Sequence, residues 1–207
     1  MSTIEHLLEE STFDEETFER LQLTSPLFEK EFTGCSFRGL KADASIWKGG
    51  RFEDCTFENC ELTRAQFPHT RFTGVSFRGC KLMGIDWSSI APNPTLSFDT
   101  CDLRYASFVK VNLRKTAFRG CKACEANFIE CALIESDFSD TDLSGANFDA
   151  SDLSKANLTT AVGAFLPVGK NRVKDTRVSV ETAVLMALAQ GMKVAGYDAA
   201  STRSRKG

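Results

Sequence analysis

Histidine is nearly absent: the 207 residues hold only His6 and His69, far apart in the chain. Nothing around them supplies a catalytic constellation. There is no glycine-rich phosphate loop, no cluster with metal-ligand spacing and no hydroxyl beside a base, so neither an enzyme nor a cofactor or metal site is expected. No apolar run approaches the roughly 20 residues that span a bilayer, and no membrane contact is expected. The opening MSTIEHLLEEST is acidic and has no long apolar stretch, so it does not read as a signal peptide, and a cytoplasmic location is the expectation. Basic excess is missing too: the net charge of −3 argues against nucleic acid as a direct partner.

What is present is a period of five. Phe32, Phe37, Trp47, Phe52, Phe57, Leu62, Phe67, Phe72, Phe77, Leu82 and Trp87 share one phase. Phe98, Leu103, Phe108, Leu113, Phe118, Phe128, Leu133, Phe138, Leu143, Phe148, Leu153 and Leu158 share another. Such a period fits neither a helix, at about 3.6 residues per turn, nor a strand, at about 2, and marks an internal repeat. Two residues before the centre stands a small side chain in 21 of 25 pentads. Residues two apart in extended chain point the same way, so each pentad forms one short side of a coil, with two residues inside and three outside.

The number of sides follows from a second period. Ala42, Leu62 and Leu82 recur every 20 residues, as do Trp47, Phe67 and Trp87. Like side chains stack in ladders along a solenoid, so four pentads make a turn and the cross-section is square. The fold class is all-β: a four-sided β-helix of about seven turns with a short C-terminal helix, Trp47, Phe67 and Trp87 stacking on one side.

Seven of the eight cysteines (Cys35, Cys55, Cys60, Cys80, Cys101, Cys121 and Cys131) occupy the small inward position. There a thiol serves as a small hydrophobe. Cys121 and Cys124 form a CxxC pair, but the register turns Cys121 in and Cys124 out, which argues against zinc or redox chemistry. Reduced thiols agree with a cytosolic compartment.

Four regions follow. Residues 1–12 form an N-terminal cap, and residues 13–160 the repeat, which slips phase twice. The first slip lies at Ser25-Pro26. The second is sharper: eleven residues separate Trp87 from Phe98 where ten would keep step. Its prolines and asparagine predict an exposed loop over 88–96, built of Ser88, Ser89, Ile90, Ala91, Pro92, Asn93, Pro94 and Thr95. Residues 161–195 lose the period and end in a helix, VSVETAVLMALAQG, with Ser179 as N-cap and Gly191 as stop. It is apolar on more than one side, so it is expected to cover the open end of the solenoid and to pair with a second copy through Val184, Leu185, Leu188 and Met192. Residues 196–207 are expected to be disordered.

The pentads SDFSD, TDLSG, ANFDA, SDLSK and ANLTT over 136–160 closely resemble those of pentapeptide-repeat proteins, whose fold is a right-handed quadrilateral β-helix. RFEDCTFENC (51–60), KLMGIDWSS (81–89) and LSFDTCDLRYASF (96–108) are similar to the topoisomerase-protecting members: quinolone-resistance (Qnr-type), microcin-immunity and albicidin-resistance proteins. The resemblance implies a homodimeric rod, joined through C-terminal helices, that imitates duplex DNA, binds DNA gyrase or topoisomerase IV and protects it from a poison. From Glu125 to Leu153 the chain carries Glu125, Glu130, Glu135, Asp137, Asp140, Asp142, Asp149 and Asp152 and no lysine or arginine. These acids are the candidate gyrase-binding surface, with the loop as a recognition element. Asp137, Asp142 and Asp152 also stand where Asp or Asn serves turn geometry. The alternative is a passive interaction rod with a partner unrelated to gyrase, and a continuous acidic stripe is the feature that would favour gyrase.

Overall fold

A computed structural model describes residues 3–167 and 169–197. The chain winds into a four-sided β-helix in which every ladder is parallel. Strands of two to four residues alternate with corners, and each rung lies beside the rung one turn later. The second side shows the count: Phe18, Phe37, Phe57, Phe77, Phe98, Phe118, Phe138, Leu158 and Val178 follow one another in register, nine rungs and eight turns. The rod is one turn longer than the period predicts. Residues that have lost the pentad sequence still pair with the coil below, Asp142 with Val162, Asp152 with Arg172 and Leu158 with Val178. At about 4.8 Å per turn the solenoid is about 38 Å long.

Burial follows the register. The large centres have essentially no exposed surface, and aromatic rings stack from coil to coil. Phe37 lies 4.5 Å from Phe57, and Phe118 lies 4.8 Å from Phe138. Trp47, Phe67, Trp87 and Phe108 form the predicted column on the fourth side, at 6.3, 5.7 and 5.8 Å. From Phe98 to Leu153 Phe occupies the second and fourth sides and leucine or alanine the first and third, while the first side of the N-terminal half is a Phe column from Phe13 to Phe72. Trp47 Nε1 donates to Ser45 Oγ at 2.7 Å, but Ile85 stands in the equivalent place for Trp87, whose Nε1 is buried without a partner.

The corner residue, two past most centres, is left-handed. Glycine fills it at Gly39 and Gly120, but Glu125, Glu130, Glu135 and Asp140 adopt it too, with φ between 53° and 59°. Each non-glycine corner costs about 1–2 kcal/mol. The compensation is a backbone bond to the next coil, as from Glu130 N to Asp149 O at 2.8 Å.

Each end of the rod carries a helix. At the N-terminus, helix α1 (Ile4–Glu9) buries Leu7 completely over the first coil. Lys30, a charged residue at an inward-small position, turns its ammonium to the Leu8 carbonyl at 2.7 Å and to that of Glu10, holding the end of α1. At the C-terminus, helix α2 (Val180–Ala189) starts at Ser179, whose hydroxyl accepts from Thr182 N at 3.0 Å, and stops at Gly191, with φ of 80°. The first slip is absorbed by a coil one residue short: Leu27 takes the inward place and Phe28 points out, 55% exposed. The expected tail lies, from residue 198 on, outside the described residues.

Candidate functional site

A narrow rod filled with rings leaves its function to its outer surface. The eight acids of the candidate surface wind around it. Glu125, Glu130, Glu135 and Asp140 sit at four successive corners, whereas Asp137, Asp142, Asp149 and Asp152 sit on the second, third, fourth and first sides. They form a ring on all four sides and no continuous stripe.

Most of them meet a base from a neighbouring coil. Lys110 approaches Glu130 at 3.6 Å, Lys115 Glu135 at 3.9 Å, Arg119 Asp137 at 2.7 Å, Lys170 Asp149 at 3.3 Å and Arg172 Asp152 at 3.7 Å. Three of the acids also order their own turns. Asp137, Asp142 and Asp152 accept from the backbone N–H of Ser139, Ser144 and Ser154. At Asp137 burial opposes ionisation, but bonds from Ser139, Arg119 and Asn157 outweigh it and hold the carboxyl at about 2. The Ser144 contacts likewise lower Asp142. The sequence had a signal for these pairs: a base stands 18 to 21 residues from each of these five acids, about one turn along.

The same period writes alternating charge on two sides. Glu19, Arg38, Glu58, Arg78, Asp99 and Arg119 follow one another on the second side, and Lys41, Glu61, Lys81, Asp102, Lys122 and Asp142 on the third. Arg38 lies 3.2 Å from Glu58, and Lys81 lies 2.7 Å from Glu61. These ladders cancel their own field. The fourth side carries no such ladder: its outward residues Ser107, Val109, Asn127, Ile129 and Asn147 are uncharged, and Asp149 follows Ile129.

The loop leaves the rod between the fourth and first sides. It opens with a single 3-10 turn, Trp87–Ser89, capped by Asp86, whose carboxylate accepts from Ser88 N at 2.9 Å. Ile90 turns inward and is 9% exposed. Ala91 N donates to Thr70 O at 2.9 Å, Thr95 N returns to Phe72 O at 3.0 Å, and Asn112 Nδ2 reaches Asn93 Oδ1 at 3.0 Å. The extra residue of the second slip is thus a tethered bulge, with Ser88, Ser89, Pro92, Asn93 and Pro94 at its surface. A shallow cavity of about 190 Å³ lies between the bulge and the coil bearing Lys110, Val111 and Asn112.

Among the described residues no group of three His, Cys, Asp or Glu is placed to hold a metal. His6 meets the Glu16 carboxylate at 2.9 Å beside α1, and His69 is a corner residue with φ of 59°. All eight cysteines are free thiols. Cys121 is buried and Cys124 half-buried on the outside. Burial pushes Cys131 up to about 11, and it also raises Cys124, with Asp142 adding to the effect. A thiol reagent is therefore expected to reach Cys124 alone in the native state and the other seven only on unfolding, read by titration with and without denaturant. Rapid modification of a second thiol would show that the coils open.

Family profiles decide the identity. The profile described as pentapeptide repeat region matches residues 94–161, and that described as pentapeptide repeats (8 copies) matches residues 51–86. The chain belongs to the pentapeptide-repeat family. Its fold is the family's right-handed quadrilateral β-helix. A comparison with curated proteins finds no match. Among solved structures, a trypsin-treated form of QnrB1, a plasmid-mediated fluoroquinolone resistance protein, superimposes with a TM-score of 0.61 at 17% identity, covering 88% of this chain and 99% of that one. A second trypsin-treated form gives 0.51 at 19%, covering 88% and 89%. HetL, a pentapeptide-repeat protein involved in heterocyst differentiation in the cyanobacterium Nostoc, gives 0.40 at 17%, covering 87% and 95%. Pentapeptide-repeat solenoids are generally structural or interaction proteins rather than enzymes. Among the described residues no helix is long and apolar enough to cross a membrane.

The expected dimer contact falls on α2 and just beyond it. Val184, Leu185 and Leu188 are half-buried in the single chain, and Met192 is 59% exposed past the helix end. Met186, on the same helix, packs on the core.

Proposed function

We propose that this pentapeptide-repeat protein is a cytoplasmic, non-catalytic rod that binds DNA gyrase or topoisomerase IV and protects it from a topoisomerase poison. The observation that carries the reading is a rigid β-helix of the QnrB1 kind interrupted by one tethered loop. Loops on rigid scaffolds commonly carry recognition. In this reading the acids from Glu125 to Asp152 supply long-range attraction as a ring rather than a DNA-like stripe, the loop supplies the specific contact, and two copies join through α2.

A titration of the pure protein into a gyrase supercoiling assay, with and without several poisons, tests it. Reversing Glu130, Glu135 and Asp140 to lysine is expected to weaken gyrase binding about tenfold at low salt, and binding of the parent is expected to weaken as salt rises. The fold should survive, because exposed ion pairs such as Lys110–Glu130 contribute less than about 1 kcal/mol each. Full protection by the triple variant would sink the acidic-ring part of the reading. The second reading, a rod with a partner unrelated to gyrase, is favoured by the ion pairs that offset the acids, and it predicts no effect on supercoiling at any dose.

A further inference from the structure

The phase slip builds something that a regular pentapeptide coil lacks. A coil of four equal pentads is flat on every side. At the second slip the chain steps out after Trp87 and returns at Thr95, and the wall it makes stands off the next coil. The resulting cavity of about 190 Å³ has apolar walls, Ile90, Ala91, Pro92 and Pro94 on one side and Val111 and the stem of Lys110 on the other, and polar groups of Ser88, Asn93 and Asn112 complete its lining. An apolar cavity of about 150 Å³ takes one benzene ring. This one matches a single large apolar side chain.

We propose that this cavity is the anchor pocket of the protein's interaction surface, and that it receives one large apolar side chain, aromatic or branched, from a protein partner. Three observations converge. The pocket is pre-formed: the bonds from Ala91 to Thr70, Thr95 to Phe72 and Asn112 to Asn93, with buried Ile90 beneath, hold the wall without a ligand. Pre-formed walls spare a binding site the cost of ordering, and a few filled central pockets carry most of the energy of protein interfaces. The fourth side runs past the pocket with Val109 and Ile129 outward, and the one charge on the pocket wall, Lys110, already lies 3.6 Å from Glu130, so a partner seated there meets no alternating ladder of ions. The second and third sides are covered by alternating ions that would have to be desolvated pair by pair. The partner that fits is a protein with a protruding apolar residue on a neutral surface.

The proposal rests on the reading of the chain as a gyrase-binding rod for its partner but not for its pocket, and the test separates the two. Ala91 is half-exposed and its backbone bond to Thr70 needs no particular side chain, so Ala91→Phe fills the cavity from within. In the full-length chain labelled with ¹⁵N, indole is the probe. Saturable shifts are expected at the Ala91 and Asn93 amides and the Asn112 side-chain amide, and they are expected to vanish in Ala91→Phe. Gyrase is expected to dissociate from Ala91→Phe at least tenfold faster, with little change in association, because pocket contacts act on the off-rate and rim charges on the on-rate. Unchanged melting shows that the variant is folded, and Ala91→Leu takes its place if it is not. Indole shifts that spare these three groups overturn the pocket. A parent that binds gyrase and a variant that leaves it no faster also overturn the proposal, with the gyrase reading intact. Saturable indole binding in a parent that ignores gyrase upholds the pocket and removes gyrase as its partner.

Discussion

Replacing Phe118 with alanine is expected to destabilise the rod by about 3–5 kcal/mol. The ring has no exposed surface, stacks on Phe98 at 5.1 Å and on Phe138 at 4.8 Å, and meets Phe108 and Phe128 edge-on at 5.8 and 5.7 Å. Its neighbours cannot close the gap, because each is fixed by its own coil's hydrogen bonds to the coils above and below. A solenoid's stability is close to a sum of intrinsic and nearest-neighbour terms. Phe118 contributes to two interfaces between coils, so its loss weakens the rod in the middle. Denaturant unfolding followed by tryptophan fluorescence reads the effect, since Trp47 and Trp87 are buried in the same core. Phe28→Ala, at an outward and exposed ring, should stay within about 0.5 kcal/mol of the parent. A loss of less than about 1 kcal/mol at Phe118 would mean that stacked rings do not hold the coils together.

The second large effect concerns assembly. Leu188→Asp is expected to turn a dimer into monomers. Burying a leucine is worth about 1.5–3 kcal/mol, and an unpaired carboxylate in an apolar contact adds to the loss. Leu188 is half-buried in the single chain, so a second copy has area left to cover, and Val180 and Met192, 71% and 59% exposed, extend that surface. Light scattering of parent and variant decides. A dimeric variant would place the interface elsewhere, and a monomeric parent would end the proposal that α2 joins two copies. Circular dichroism checks that α2 itself survives, since Ser179 and Gly191 still cap it.

The fold was legible because the pentad is a local rule with a global consequence. An inward pair every five residues admits few shapes, and the 20-residue recurrence of Ala42, Leu62 and Leu82 counts the sides. The period fails where pairing is enough without it. Residues 161–178 lack the pentad sequence, yet Asn171 Nδ2 donates to Phe148 O at 3.0 Å and Thr176 Oγ1 to Leu153 O at 2.7 Å, so side-chain bonds continue the coil where small apolar residues end. The left-handed corner was also within reach of the sequence: Gly34, Gly39, Gly74, Gly79 and Gly120 each stand two residues past a large centre.

The candidate site was legible only in part. The acids were countable from Glu125 to Asp152, and their lack of lysine and arginine neighbours in sequence suggested a bare negative block. In space their neighbours lie one turn away, where Lys110, Lys115, Arg119, Lys170 and Arg172 meet them. By itself, then, the sequence determined the cross-section, the inward residues, the place of the loop and the C-terminal helix, because each is written in the pattern of apolar side chains along one chain. Tertiary structure alone decided the sign of the surface and the cavity under the loop. Both depend on what stands opposite across a gap of one coil, and an electrostatic field or a pocket belongs to pairs of residues brought side by side rather than to either of them.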